Sequence, residues 1–202
     1  MISTMPLLTG LSMALLCIAL ATILLPINKL PLAARVIAIT AIALLVILPL
    51  FDYPVWYKVR GVFGDSSITA LFFYIALVLQ QTFSWQLYRE RELVLLRRLV
   101  LVTAILLYPF ALGLTQFDSY SLGYANPWML AALLVFTLFC WFRQYYFLAT
   151  IITVAVIASS QQLLESHNLW DYLIDPAFLL IMMLTWFKPS ITGVLSSTRH
   201  TS

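Results

Sequence analysis

Long apolar runs follow one another through almost the whole chain, and only short polar or aromatic links separate them. A membrane-spanning helix needs about 20 mainly apolar residues, with a range of roughly 17 to 25. Only 9% of the 202 residues are charged and 63% are hydrophobic, whereas about 25% of residues in a soluble domain are charged. The sequence therefore predicts an integral membrane protein with an all-α fold, a polytopic transmembrane helical bundle.

The apolar runs predict seven spans, with six as the alternative. Arg143-Gln144 is the only polar break between the fifth and sixth runs, so either two antiparallel helices meet in a tight turn or the boundaries shift by several residues. We expect one bundle over residues 1–189, followed by a polar, disordered cytoplasmic tail over residues 190–202. The expected spans are residues 7–25, 33–50, 67–87, 99–114, 127–142, 145–160 and 170–187.

The densest charge cluster in the chain, residues 89–98, predicts the orientation of the bundle. It contains four arginines and two glutamates, and short loops rich in Lys and Arg stay in the cytoplasm. With seven spans, nine of the eleven basic residues lie on that side and only Lys58 and Arg60 lie opposite. We therefore predict the N-terminus outside and the C-terminus inside. The cluster is interpreted as a cytoplasmic loop with helix ends, or as an anionic-lipid or protein docking patch; its topology anchors and lipid-headgroup contacts are Arg89, Arg91, Arg97 and Arg98.

The opposite, non-cytoplasmic side collects most of the acids and carries the candidate functional residues. Grouped carboxylates with a histidine can perform acid–base chemistry, although solvated loop acids and helix caps explain the same pattern. Residues 51–66 are interpreted as a loop, and Asp65 or Ser66 is expected to cap the following helix rather than to act as a nucleophile. The candidate catalytic residues are Asp52, Arg60, Asp65, Glu165, His167 and Asp171.

The remaining chemistry-bearing residues predict neither a cofactor nor a metal site. Cys17 and Cys140 both fall inside apolar runs without a metal-ligand spacing, and none of the common hydrolase or metalloprotease motifs occurs. No ionisable residue is expected near the centre of a span, where transporters and pumps usually need one. The net charge of +3 is too small to indicate nucleic-acid binding.

Three functions remain open from the sequence. The first is a non-catalytic accessory or scaffold subunit of a cell-envelope complex, whose partners are the bilayer, including anionic lipid, and another envelope protein. The second is an interfacial enzyme that acts on a lipid or lipid-linked substrate at the non-cytoplasmic face. The third is a lipid or small-solute transporter. In each case we expect a multi-pass protein of the plasma membrane, most simply the inner membrane of a bacterium.

Cysteines introduced into residues 89–98 should react with a membrane-impermeant thiol reagent only after the cells are opened, because this segment is predicted to be cytoplasmic. A reporter fused to the C-terminus should be active in the cytoplasm. Labelling of this segment in intact cells, or a tail reporter active only outside, would contradict the predicted orientation.

Overall fold

The computed structural model describes residues 5–49, 53–111, 118–124 and 126–187, and within these ranges the chain forms helices and no strands. The predicted all-α fold is confirmed. The candidate residue Asp52 and the tail 190–202 lie outside the described residues. The helices are α1 Met5–Leu24, α2 Leu32–Ile47, α3 Val55–Phe63, α4 Ile68–Phe83, α5 Glu90–Ala111, α6 Pro127–Phe142, α7 Tyr146–Ser160, α8 Leu169–Leu173 and α9 Pro176–Phe187, with 3-10 turns at Ile27–Lys29 and Tyr120–Gly123.

Two of the described helical segments are long and apolar enough to cross a membrane by length and composition, Glu90–Phe110 and Leu169–Trp186. They suggest that the protein associates with a membrane. Of the other apolar helices, α1 has 20 residues, whereas α2, α4, α6 and α7 have 15 or 16, because prolines or left-handed turn residues follow their ends. Seven separate spans are therefore not established by helix length.

The arginine-rich segment 89–98 was predicted to be a cytoplasmic loop with helix ends. In the structure, almost all of it forms the first part of α5. The helix begins at Glu90, and acidic side chains in a first turn stabilise the positive end of the helix dipole. Glu92 also accepts a hydrogen bond from the Arg89 backbone N–H at 2.9 Å, which caps the helix start. Arg89, Arg91 and Arg98 are exposed, whereas Arg97 is half-buried; their predicted contacts with lipid stay a prediction.

The predicted loop 51–66 also contains a helix, α3, between Pro54 and Gly64. It was missed because it is short, carries Lys58 and Arg60, and is bounded by residues typical of turns. Its buried Trp56 lies against α1, where a Cβ added to Gly10 would be 3.4 Å from the Trp56 indole nitrogen. This contact holds α3 across the N-terminal part of α1.

The predicted tight turn between the fifth and sixth apolar runs is confirmed. α6 ends at Phe142 and α7 begins at Tyr146, with Gln144 in the left-handed region at φ 58°. The Tyr145 backbone N–H donates to the Cys140 carbonyl at 2.8 Å, which closes the turn. The two helices pack side by side as an antiparallel hairpin.

Helix α4 forms the centre of the bundle and packs against α1, α2, α7 and α8. Phe73 and Tyr74 of α4 are fully buried, and both rings pack against Phe178 of α9. The peripheral helix α6 has the opposite character, since Trp128 and Phe142 are 81% and 80% exposed. Large apolar side chains therefore lie both in the core and on the outer surface of the bundle. This is the pattern expected of helices that face lipid.

Side chains at one end of the bundle connect helix ends that the sequence analysis assigned to the cytoplasmic side. Arg35 at the start of α2 donates to the carbonyls of Gln81 and Thr82 at the end of α4, both at 3.3 Å. Arg97 of α5 donates to the Thr185 hydroxyl near the end of α9 at 3.1 Å. These contacts tie together α2, α4, α5 and α9 at this end.

The buried carboxylate of Glu92, 3% exposed, joins two helix starts at the same end. Besides capping α5, its Oε1 accepts a hydrogen bond from the Phe147 backbone N–H at the start of α7, at 2.9 Å. The first N–H groups of a helix have no partner within the helix. One carboxylate therefore satisfies orphan donors of both α5 and α7.

Replacing Glu92 by Ala should lower the free energy of unfolding by about 1–3 kcal/mol, because two buried N–H groups lose a charged acceptor. Thermal unfolding of the detergent-solubilised protein, followed by circular dichroism, measures the change. Glu92→Gln retains one acceptor oxygen and should lose less. Equal stability of Glu92→Ala and of a variant at the exposed Arg98, Arg98→Ala, would contradict this role.

Candidate functional site

A second buried carboxylate, Asp175, organises the opposite end of the bundle. It lies between α8 and α9, and its Oδ1 accepts from the Phe178 backbone N–H at 2.8 Å, as expected for a helix start before Pro176. Its Oδ2 accepts from the Ser67 backbone N–H at 2.8 Å, at the start of α4. Asp175 therefore holds the N-termini of α4 and α9 together.

Ser67, and not Asp65 or Ser66, caps α4. The Ser67 hydroxyl accepts from the Ala70 backbone N–H at 3.2 Å, so the expected cap was misplaced by one or two residues. This leaves Ser66 without the role proposed for it. The Ser66 side chain is 6% exposed, and its hydroxyl has no hydrogen-bond partner among the described residues.

Arg60 of α3 forms ion pairs with two of the predicted acids. Its Nε and Nη2 donate to the two Asp65 carboxylate oxygens at 2.7 and 2.9 Å, and Nη2 lies 3.0 Å from Glu165 Oε1. Gly64 allows this return of the chain because its backbone, at φ 75° and ψ −162°, is in a region essentially restricted to glycine. The hydrogen bonds with Asp65, and less strongly with Glu165, raise the pKa of Arg60 above its ordinary value, so the guanidinium remains charged.

Asp171 of α8 is joined to the segment before α6. The Tyr120 hydroxyl donates to Asp171 Oδ2 at 2.7 Å. Burial raises the pKa of the Tyr120 phenol above its ordinary value, and the hydrogen bond to Asp171 acts in the same direction, so Tyr120 keeps its proton. The Asn168 amide also donates to the Tyr120 carbonyl at 2.8 Å. These bonds fix Asp171 beside the Tyr120 segment.

These groups surround a cavity of about 510 Å³, which we call the acidic cavity. Its volume lies within the roughly 300–1,000 Å³ range of small-molecule sites. The Tyr108 hydroxyl, on the wall formed by α5, is buried and has no partner among the described residues. The cavity's polar lining residues are Asp65, Tyr108, Tyr120, Glu165, Ser166, Asp171 and Asp175.

A second cavity, of about 400 Å³, adjoins the first and is called the apolar cavity. The two cavities share Asp65, Leu164 and Glu165 as lining residues. The apolar cavity runs between α1, α4 and α7, and the unpartnered Ser66 lies on its wall. Its apolar lining residues are Ile68, Leu71, Phe72, Val154, Ala158, Leu163 and Leu164.

The structure brings together Asp65, Glu165 and Asp171 around the acidic cavity, with Arg60 paired to the first two. His167 is exposed and lines neither cavity, so the structure does not bring it together with these acids. Sequence reasoning did not include Tyr108, Tyr120 or Asp175 among the site residues. The Asp175-Pro176 pair signalled a helix start, but the two tyrosines carried no comparable signal.

The site places carboxyl groups beside a mainly apolar cavity. Three or more metal-ligating side chains do not group together anywhere in the described residues. The buried Ser66 hydroxyl has no base hydrogen-bonded to it among those residues, and a serine nucleophile needs such a partner. Carboxylates beside an apolar cavity can instead hold an amphiphilic molecule.

The fold and site define an all-helical protein with two segments able to cross a membrane and with adjoining acidic and apolar cavities at one end. Comparison of the chain with protein-family models, curated proteins and solved structures gives no match.

Replacing Gly123 by Ala should distort the wall of the acidic cavity. An added Cβ would lie 1.7 Å from Asn168 Oδ1, so Asn168 must move and its bond to the Tyr120 carbonyl must break. We expect the free energy of unfolding to fall by about 1–3 kcal/mol, measured by thermal unfolding.

The matched control is Gly61→Ala in α3, where an added Cβ meets nothing within 4 Å. It should leave stability unchanged or raise it by up to about 1 kcal/mol, because Ala favours helix over Gly. Equal effects at both glycines would contradict the close approach of Asn168.

Proposed function

We propose that the protein is a polytopic membrane protein that binds a lipid or lipid-linked molecule at the non-cytoplasmic end of its helical bundle. The observation that carries this proposal is the meeting of an acidic cavity with an apolar cavity at Asp65 and Glu165. A polar headgroup fits the first cavity and an acyl chain fits the second. Each cavity is large enough to hold part of an amphiphile.

The membrane setting is supported by the outward-facing apolar side chains of the outer helices. On α6, Val135 is 66% exposed and Leu134 is 61% exposed, and on α5, Ile105 is 68% exposed. In water such a surface would lead to aggregation. In the proposed bilayer α1 and the shorter helices α2, α4, α6 and α7 would span together with α5 and with α8–α9.

The proposed alternating path of the chain across the bilayer is supported by which helix ends meet. Arg60 with Glu165 and Ser67 with Asp175 join segments that an alternating seven-span path puts on one side. The contacts of Glu92 join segments that the same path puts on the other side. With residues 89–98 in the cytoplasm, the acidic cavity lies at the external face of the inner or plasma membrane.

An accessory or scaffold role remains a second proposal, and the surface of α6 favours it. This helix packs mainly against α7, and its outer side has a shallow depression over Ala131 and Ala132 between Trp128 and Phe139. Small residues at such a position let a second membrane helix approach closely. Co-purification of one defined envelope protein, lost in Ala131→Trp, would support it.

The interior of the bundle offers little support for the transporter hypothesis, because the cavity there has no ionisable lining residue. A third cavity, of about 200 Å³, is lined by apolar side chains apart from Thr69 and Thr103. Ion-coupled transporters usually place ionisable groups on such a path. Transport therefore stays a prediction without a specific feature of the described residues in its favour.

Leu71→Trp tests the lipid-binding proposal, because the larger ring would fill the apolar cavity from α4. The variant in mild non-ionic detergent should bind lipid about tenfold more weakly, equivalent to about 1.4 kcal/mol, and should therefore retain less of it on purification. Mass spectrometry of the extracted lipid, per mole of protein, measures the loss.

The matched control is Leu134→Trp, at a residue that faces outward on α6 and lines none of the cavities described above. It should retain the wild-type amount of lipid. Equal retention by Leu71→Trp and Leu134→Trp would overturn the apolar cavity as the lipid site.

A further inference from the structure

We infer that the bound lipid carries a protonated amine in its headgroup, as an aminophospholipid does, and that this ammonium group occupies the acidic cavity. The inference rests on the proposed lipid-binding function and specifies the ligand. It depends on the charge of the cavity and on two unpartnered hydroxyl groups, that of Tyr108 on its own wall and that of Ser66 on the wall of the adjoining apolar cavity.

The charge around the acidic cavity favours a cation. Four carboxyl groups line it, those of Asp65, Glu165, Asp171 and Asp175. Both ion pairs between described residues use the same guanidinium, that of Arg60. One positive charge therefore faces four carboxyl groups, and an added ammonium group would reduce this excess.

Asp175 contributes least to this excess, because it is buried and both of its oxygens already accept hydrogen bonds from helix starts. Its oxygens accept from Ser67 and Phe178, and the positive ends of α4 and α9 stabilise a negative charge there. Asp171 differs from Asp175, because its side chain accepts its hydrogen bond from a neutral group, the Tyr120 hydroxyl. Lys58, on α3, is exposed and lines neither cavity. Asp171 is therefore the carboxylate best placed to pair with a ligand ammonium.

Two hydroxyl groups at the walls indicate that the cavities are built for a polar ligand. Ser66 is 94% buried, as its exposure of 6% implies, and its hydroxyl, on the wall of the apolar cavity, lacks a partner among the described residues. The Tyr108 hydroxyl, on the wall of the acidic cavity, lacks one as well. A buried hydroxyl without a hydrogen bond is unfavourable, and a headgroup with donors and phosphate or ester oxygens supplies both partners.

The full-length protein in non-ionic detergent provides the test, with lipids added one at a time and bound lipid counted by native mass spectrometry. The probes are phosphatidylethanolamine, with an ammonium donor, phosphatidylglycerol, with no cation, and free ethanolamine, with no acyl chain. We expect phosphatidylethanolamine to bind about tenfold more tightly than phosphatidylglycerol. Asp171→Asn, which retains an acceptor for Tyr120, should remove most of this preference.

The control is Asp118→Asn, which changes an exposed acid on the same side that lines neither cavity. It should retain the preference. Binding of both lipids with equal affinity, lost in Leu71→Trp, would overturn the ammonium inference and leave the lipid site standing. Binding of free ethanolamine as tightly as the lipid, unaffected by Leu71→Trp, would overturn the lipid site instead. Preference for phosphatidylglycerol would show that the site selects anions, and would overturn the inference.

Discussion

Two buried carboxylates, Glu92 and Asp175, hold the bundle together at its two ends. Each accepts hydrogen bonds from backbone N–H groups at the starts of two helices, α5 with α7 in one case and α4 with α9 in the other. Apolar side chains provide little directional preference between helices when the surroundings are apolar too. A carboxyl acceptor shared by two helix starts supplies that direction, since losing either hydrogen bond leaves a backbone donor without its partner.

The acidic cavity follows from the second of these junctions. Asp175 brings α8 and α9 to the start of α4, and Thr69 of α4 donates to the Leu173 carbonyl beside it. The Arg60 ion pairs then bring α3 and the loop of Glu165 to the same place. The polar groups needed to connect helices are thus also the groups that line the cavity, and a ligand bound there would contact elements from most of the chain.

The sequence predicted the helices better than the site. Apolar runs located most helices within a few residues, because burial or lipid contact needs apolar side chains whatever their partners. The start of α5 and the existence of α3 were missed, since Arg97 and Arg60 are charged residues that interact with the bundle rather than with solvent alone. The cavity could not be predicted from local pattern, because the Ser67–Asp175 contact joins residues 108 positions apart.

The shortness of the outer helices has a consequence for the surrounding lipid. Helix α6, with 16 residues, is about 24 Å long at 1.5 Å per residue, less than the roughly 30 Å hydrocarbon thickness of a typical bilayer. A bilayer adapts to such hydrophobic mismatch by thinning around the protein. In the proposed bilayer, lipid headgroups near the bundle would therefore lie closer to the membrane centre, toward the level at which the acidic and apolar cavities share Asp65 and Glu165. A lipid could then enter from the side without leaving its leaflet.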